Sequence, residues 1–245
     1  RISESSLELT DNRRGFPDIL SNPGVAIELI HNKLNKCNFD KVWINNIKNF
    51  HLEKINKVSN KKINKTGDDN KINPNLIFKE LKNIINDDFI GIADGGDILS
   101  FARVGLHSKY YMDSGTFGCL GVGIPYAIAA SKVFKEKKII CVTGDGSFGF
   151  NAMEIDTAVK NQSDICVIIS NNGGWNIEKH DQRLNYGNRV YATSLAHSDY
   201  SALAKSLGAY GVRVEDPEKL EQALSEALNN TPSVVDVITS STILS

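Results

Sequence analysis

Two short, mostly β-branched runs, IICV at 139–142 and ICVII at 165–169, are each followed by a polar turn, and a helix-length segment separates them. Runs this short and this apolar form parallel strands buried on both faces. The segment between them carries Phe150, Met153, Ile155 and Val159 at helical spacing and reads as the crossover helix. Such crossovers are almost always right-handed, so both turns fall at the carboxyl edge of one sheet. The expected fold class is therefore α/β: an open, mainly parallel sheet with helices on both faces. Ligands of such sheets bind beyond the carboxyl ends of the strands.

The turn residues set the chemistry of that edge. Asp145 offers a carboxylate, Asn172 an amide oxygen, and the glycines around them exposed backbone groups. These are hard oxygen ligands of the kind Mg²⁺ accepts while keeping positions for water or phosphate oxygens. Gly146 and Ser147 open the following helix, whose unpaired N–H groups suit a phosphate. A metal site and an anion site on one edge suit a diphosphate held through a divalent cation.

Gly144-Asp145-Gly146, followed about 27 residues later by Asn171-Asn172 with Glu154 in the helix between, resembles the diphosphate-binding motif of thiamine diphosphate enzymes. The acetolactate synthase, benzaldehyde lyase and pyruvate decarboxylase group fits best. The resemblance runs over about 74–240. It implies thiamine diphosphate and Mg²⁺ as cofactors. Asp145, Asn172 and the Gly174 carbonyl would hold the metal, and Gly144, Gly146, Ser147 and Trp175 would surround the cofactor. A strand at 89–93 ends in Asp94-Gly95-Gly96-Asp97, and the resemblance places Gly95, Gly96 and Asp97 in the loop beside the diphosphate.

Glycines at 115, 118, 121 and 123 precede an Ala-rich helix. Their G-x-x-G-x-G order, with Tyr126 where a dinucleotide fingerprint wants Gly or Ala, excludes that fingerprint, and the chain has no G-x-x-x-x-G-K-[ST] phosphate loop. By resemblance, the backbone at Gly118 meets the aminopyrimidine and Leu120 wedges under the cofactor to keep it bent. Bending brings the pyrimidine amino group near the thiazolium C2 proton, so an internal base is already oriented.

After the Asn pair the chain reads Gly173-Gly174-Trp175-Asn176-Ile177-Glu178, where acetolactate synthases have a Leu-Gly-Met type stretch. The pattern Asn-Asn-x-Gly-aromatic-x-Ile-Glu is similar to pyruvate decarboxylases, which makes Glu178 the catalytic candidate, a proton relay. The implied function is an acetolactate synthase-like carboligase or decarboxylase acting on a 2-keto acid. Alternatives are a carbon–carbon lyase of the 2-hydroxyacyl-CoA lyase, oxalyl-CoA decarboxylase or benzaldehyde lyase type, and a cofactor-binding regulatory module without chemistry.

The domain reading assigns 1–50 to the C-terminal remnant of a central domain, 51–73 to a Lys- and Asn-rich linker, and 74–245 to the cofactor-binding domain. Beyond Glu178 it expects a polar loop to Tyr191, a helix at 199–207, a strand at 209–214, a helix at 216–228 and a last strand at 234–238. The chain starts at Arg1 and reads as a fragment, a processed chain or part of a longer one. The activating glutamate of the family lies in a pyrimidine-binding domain, to be supplied by a missing N-terminal portion or a partner chain. Apolar strands and the Ala-rich helix imply a homo-oligomer.

A formal net charge of −1 gives no bulk attraction to nucleic acid or an anionic membrane, and no run is long enough to span a bilayer. Cys37, Cys119, Cys141 and Cys166 form no Cys-x-x-Cys pair, and the last two sit in apolar strands as small hydrophobes. That usage suits a reduced, cytoplasmic protein.

Overall fold

The computed structural model describes residues 1–10, 16–34, 40–59 and 63–243; Cys37 lies outside them. The chain forms two compact units, Arg1–Lys61 and Lys62–Ser245. In the first, β1 (Ile2–Ser3), α1 (Ser6–Leu9) and β2 (Ile19–Leu20) precede two helices, α2 (Pro23–Leu34) and α3 (Lys41–Ser59). The Asn22 side chain accepts the Gly24 and Val25 N–H groups and so caps α2, while Asp40 does the same for Val42 and Trp43 at α3. Ala26 is the buried residue of α2, and Ile27, Leu29 and Trp43 are exposed.

The second unit runs α4 (Pro74–Ile84), β3 (Ile90–Asp94), α5 (Asp97–Gly105), β4 (Tyr110–Met112), α6 (Gly123–Val133) and β5 (Ile139–Gly144). It continues through α7 (Asp145–Phe150), α8 (Glu154–Lys160), β6 (Ile165–Asn171), α9 (Asn176–Asn185), α10 (Tyr200–Ser206), β7 (Tyr210–Val214), α11 (Leu220–Asn229) and β8 (Ser233–Ile238). The six strands form one sheet in the order β4-β3-β5-β6-β8-β7, every pair parallel.

Alternate residues of the central strands feed two cores, as a pleated strand covered on both faces requires. Ile140, Val142 and Ile168 pack with α4, α5 and α11, whereas Ile139, Cys141 and Val167 pack with α6, α8 and α10. Each fully buried aliphatic side chain contributes about 1.5–3 kcal/mol, so a register slip at β5 or β6 is strongly disfavoured and the turns beyond them are fixed. Cys141 and Cys166 are fully buried free thiols in these strands, and burial pushes the Cys166 thiol up to about 11.

Four features differ from the sequence reading. The crossover is two helices: α7 ends at Phe150 and α8 starts at Glu154, and Phe150 and Met153 face solvent while Phe148 enters the core. Residues 63–73, expected as linker, belong to the second unit, because Ile72 is wholly buried and bridges to Thr239, and Asp69 accepts the Ser241 N–H at 3.0 Å. The short β4 extends the sheet beyond β3. Residues 176–185, expected mainly as loop, are the helix α9. Among the described residues no helix is long and apolar enough to cross a membrane.

The chain leaves β3 toward β4 on one side and β5 toward β6 on the other. The carboxyl ends of β3 and β5 therefore bracket a topological switch point, where the diverging connections leave a crevice.

Candidate functional site

Asp94, Gly144 and Asn171 end the three strands β3, β5 and β6, and the turns beyond them border a cleft. The first turn contributes Gly95, Gly96 and Asp97 to its wall, and the second contributes Gly144, Asp145, Gly146 and Ser147. The third supplies Asn172, Gly174, Trp175 and Glu178, and Leu120 enters from the glycine turn. The structure thus brings together every candidate metal, cofactor and catalytic residue named from the sequence except Gly118. That glycine is exposed in a left-handed conformation (φ 60°) and does not line the cleft.

Asp145 is 2% exposed, yet its Oδ2 accepts the Gly173 and Gly174 N–H groups at 3.0 and 3.1 Å. Burial raises its pKa from 3.8 to about 6, against the pull of the Gly146, Gly173 and Gly174 N–H groups. Half-buried Asn172 sits on the same turn, its Oδ1 accepting the Gly174 N–H at 3.1 Å. Gly174 bridges to Ser194, and a Cβ there would meet the Thr193 carbonyl oxygen at 2.6 Å, so the turn is closed over by backbone. Gly95 has φ 116°, a conformation open to glycine, and its turn runs close to the Gly144 N–H.

Glu178 lies in the first turn of α9, exposed, on the wall of the cleft. A second hollow, bounded by Gln182, Tyr186, Arg189 and Tyr191, shares Ile177 and Glu178 with the first. The start of α9 is pinned by buried Asn176, whose Nδ2 donates to Asp97 Oδ2 at 2.9 Å.

Three further groups support the turns and escaped the sequence reading. Asn171 Nδ2 donates to Asp236 Oδ1 at 2.9 Å, and His197 Nδ1 lies 3.1 Å from Asn171 Oδ1. Asp236 is fully buried and takes the Tyr200 N–H and the Arg213 guanidinium on Oδ2 at 3.1 and 3.3 Å. Burial raises its pKa, with Asn171, Tyr200 and Arg213 opposing that rise. The third, Asp94, binds the backbone of the glycine turn. Asp94 heads the polar turn at 94–97 and Asp236 interrupts VVDVI, but neither pattern shows what the carboxylate binds, and His197 stands in a loop with no pattern to mark it.

The donor set can be tested against a metal-bridged diphosphate. Among the described residues no group of three or more His, Cys, Asp or Glu side chains is placed to hold a metal. One carboxylate beside one amide oxygen holds Mg²⁺ only if the ligand brings oxygens of its own, which is how that ion binds phosphate-bearing ligands. The residues present fit such a group.

A parallel α/β sheet with a glycine-walled cleft at its switch point defines a ligand-binding domain of the doubly wound class. Residues 96–237 match the family described as thiamine pyrophosphate enzyme, C-terminal TPP binding domain, and the chain belongs to that family. It is 36% identical over 172 residues to a probable acetolactate synthase of Mycobacterium bovis, covering 69% of this chain and 31% of the relative. It is 29% identical over 238 residues to 2-hydroxyacyl-CoA lyase 2 of Caenorhabditis elegans, covering 93% of this chain and 37% of the relative. The chain therefore spans about a third of the length of these curated relatives. The fold also resembles the thiamine diphosphate-dependent 4-hydroxybenzoylformate decarboxylase of Rhodococcus jostii RHA1. That likeness has TM-score 0.67 and 21% identity, over 74% of this chain and 34% of that one.

Proposed function

We propose that this chain is the cofactor-anchoring part of a thiamine diphosphate- and Mg²⁺-dependent enzyme that makes or breaks a carbon–carbon bond at a 2-keto acid, in the manner of an acetolactate synthase. The observation that carries the reading is the meeting of Asp145, Asn172 and the Gly144–Ser147 turn in one cleft with Glu178 on its wall. Asp145, the Asn172 amide oxygen and the Gly174 carbonyl hold the ion. Gly144, Gly146 and Ser147 border the diphosphate from one side, Gly95, Gly96 and Asp97 from the other. Leu120 supplies the apolar contact, and Trp175 closes the wall over Gly146.

When bound, thiamine diphosphate supplies a carbanion that attacks a carbonyl and takes up the electrons of carbon–carbon cleavage. Glu178 stands between the cleft and the adjoining hollow. There its carboxyl group gives or takes a proton at the substrate oxygen, while Asn176 and Asp97 keep its helix in place. A pyrimidine-binding domain elsewhere in the full-length protein or on a partner chain completes the site. Exposed Phe117, Tyr126 and Val133 support a homo-oligomer, and the free, buried Cys141 and Cys166 support a reducing, cytoplasmic setting.

A lyase acting on 2-hydroxyacyl-CoA is the second reading, favoured by the likeness to the Caenorhabditis elegans protein reaching across 93% of this chain. Assays of the full-length protein with both cofactors, on pyruvate and on a 2-hydroxyacyl-CoA side by side, separate the two. In Glu178→Gln, turnover is expected to fall by about 10²–10⁴ with cofactor affinity retained. Unchanged turnover, or lost cofactor binding, removes Glu178 from the mechanism.

A further inference from the structure

β3 ends on a carboxylate that does not line the cleft. Asp94 is 1% exposed, and no ion pair among the described residues includes it. Its Oδ2 accepts the Gly123 N–H at 2.9 Å and its Oδ1 the Gly121 N–H at 3.3 Å. Burial pushes its pKa up, and the Gly123, Gly95 and Gly121 backbone and Ser147 hold it down. A buried carboxylate without a countercharge is costly unless donors replace its water, and here the glycine turn supplies one to each oxygen.

The stretch with two donors carries Leu120. Gly121 has φ 86°, and a Cβ there would meet Phe150 Cβ at 2.7 Å; a Cβ on Gly123 would meet Asp94 Cβ at 2.8 Å. The turn is thus seated between Asp94 and Phe150 with no room for a side chain. Leu120 is the side chain this turn places on the cleft wall. Being wholly apolar, it contacts the organic part of a ligand and offers nothing to charged oxygens.

We infer that Asp94 is a positioning residue: by clamping Gly121 and Gly123 it sets Leu120 against the cleft and so governs how the organic end of the cofactor is held, leaving the diphosphate end to Asp145 and Asn172. The inference rests on the proposed function. It divides the cleft into two halves with separate supports.

Inorganic pyrophosphate probes one half and thiamine diphosphate probes both. Calorimetry on the full-length protein with Mg²⁺ compares the two ligands in the unsubstituted form and in Asp94→Asn. The amide is isosteric but turns an N–H toward the donors of Gly121 or Gly123, leaving buried donors unpaired. The expected result is a Kd for thiamine diphosphate raised roughly ten- to a hundred-fold, with that for pyrophosphate raised much less. If Asp94→Asn does not fold, Asp94→Glu, which keeps the charge and pushes the turn outward, is expected to show the same split. Equal losses for both ligands, or a loss for neither, overturn the inference while the proposed function stands. Failure of the unsubstituted protein to bind either ligand overturns both.

Discussion

Trp175 lies so close over Gly146 that a Cβ on the glycine would come within 2.5 Å of two carbons of the indole ring. The ring also tilts against Phe150, with centroids 6.1 Å apart. Gly146→Ala therefore has to move the indole and the wall it forms. Overpacking of this kind costs about 1–3 kcal/mol. Denaturant unfolding should show that loss, and cofactor titration should show weakened binding in the same variant.

Asp145 gives the site a pH dependence of definite sign. Its folded pKa of about 6 lies above its ordinary 3.8, so its proton stabilises the metal-free fold. That contribution is complete below 3.8 and is lost as the pH rises through about 6. The proposed cation binding would need the carboxylate and would run the opposite way. Mg²⁺-dependent cofactor affinity is expected to be level above about pH 6 and to fall about tenfold per pH unit below it. Calorimetry across pH 5 to 7.5 checks this; an affinity flat through that range would place the metal on another group.

The central sheet is legible in the sequence because β5 and β6 are buried on both faces and so consist of little but Ile, Val and Cys. The cleft turns are legible for a related reason. Strands that end in Gly-Asp-Gly and Asn-Asn-Gly-Gly leave little doubt where the polar edge lies, and parallel pairing brings those edges together. The break between α7 and α8 is hidden, since Phe150 and Met153 keep helical spacing although solvent, and for Phe150 the Trp175 ring, takes them. Residues 63–73 look like linker because two buried residues, Ile72 and Asn73, and a few hydrogen bonds anchor them, and neither changes local composition. The roles of Asp94, Asp236 and His197 depend on partners 23 or more residues away, beyond the reach of any local pattern.

Asp236 is the support behind the turn that carries Asn172. Asp236→Ala removes the acceptor of Asn171, Tyr200 and Arg213 at once, leaving buried donors unpaired. Arg213 is partly exposed and recovers some water, so the expected destabilisation is about 2–3 kcal/mol, below that for a wholly buried pair. Chemical denaturation measures it. Because Asn171 adjoins Asn172, Mg²⁺ affinity should fall in the same variant, whereas a change confined to stability would detach Asp236 from the site.

The central claim is that Asp145 anchors a diphosphate through a divalent cation. Titration of thiamine diphosphate into the full-length protein, with and without Mg²⁺, tests it in the unsubstituted form and in Asp145→Ala. The predicted result is tight, Mg²⁺-dependent binding in the first and none that depends on Mg²⁺ in the second, with the variant still folded by circular dichroism. Undiminished Mg²⁺-dependent affinity in Asp145→Ala would contradict the account.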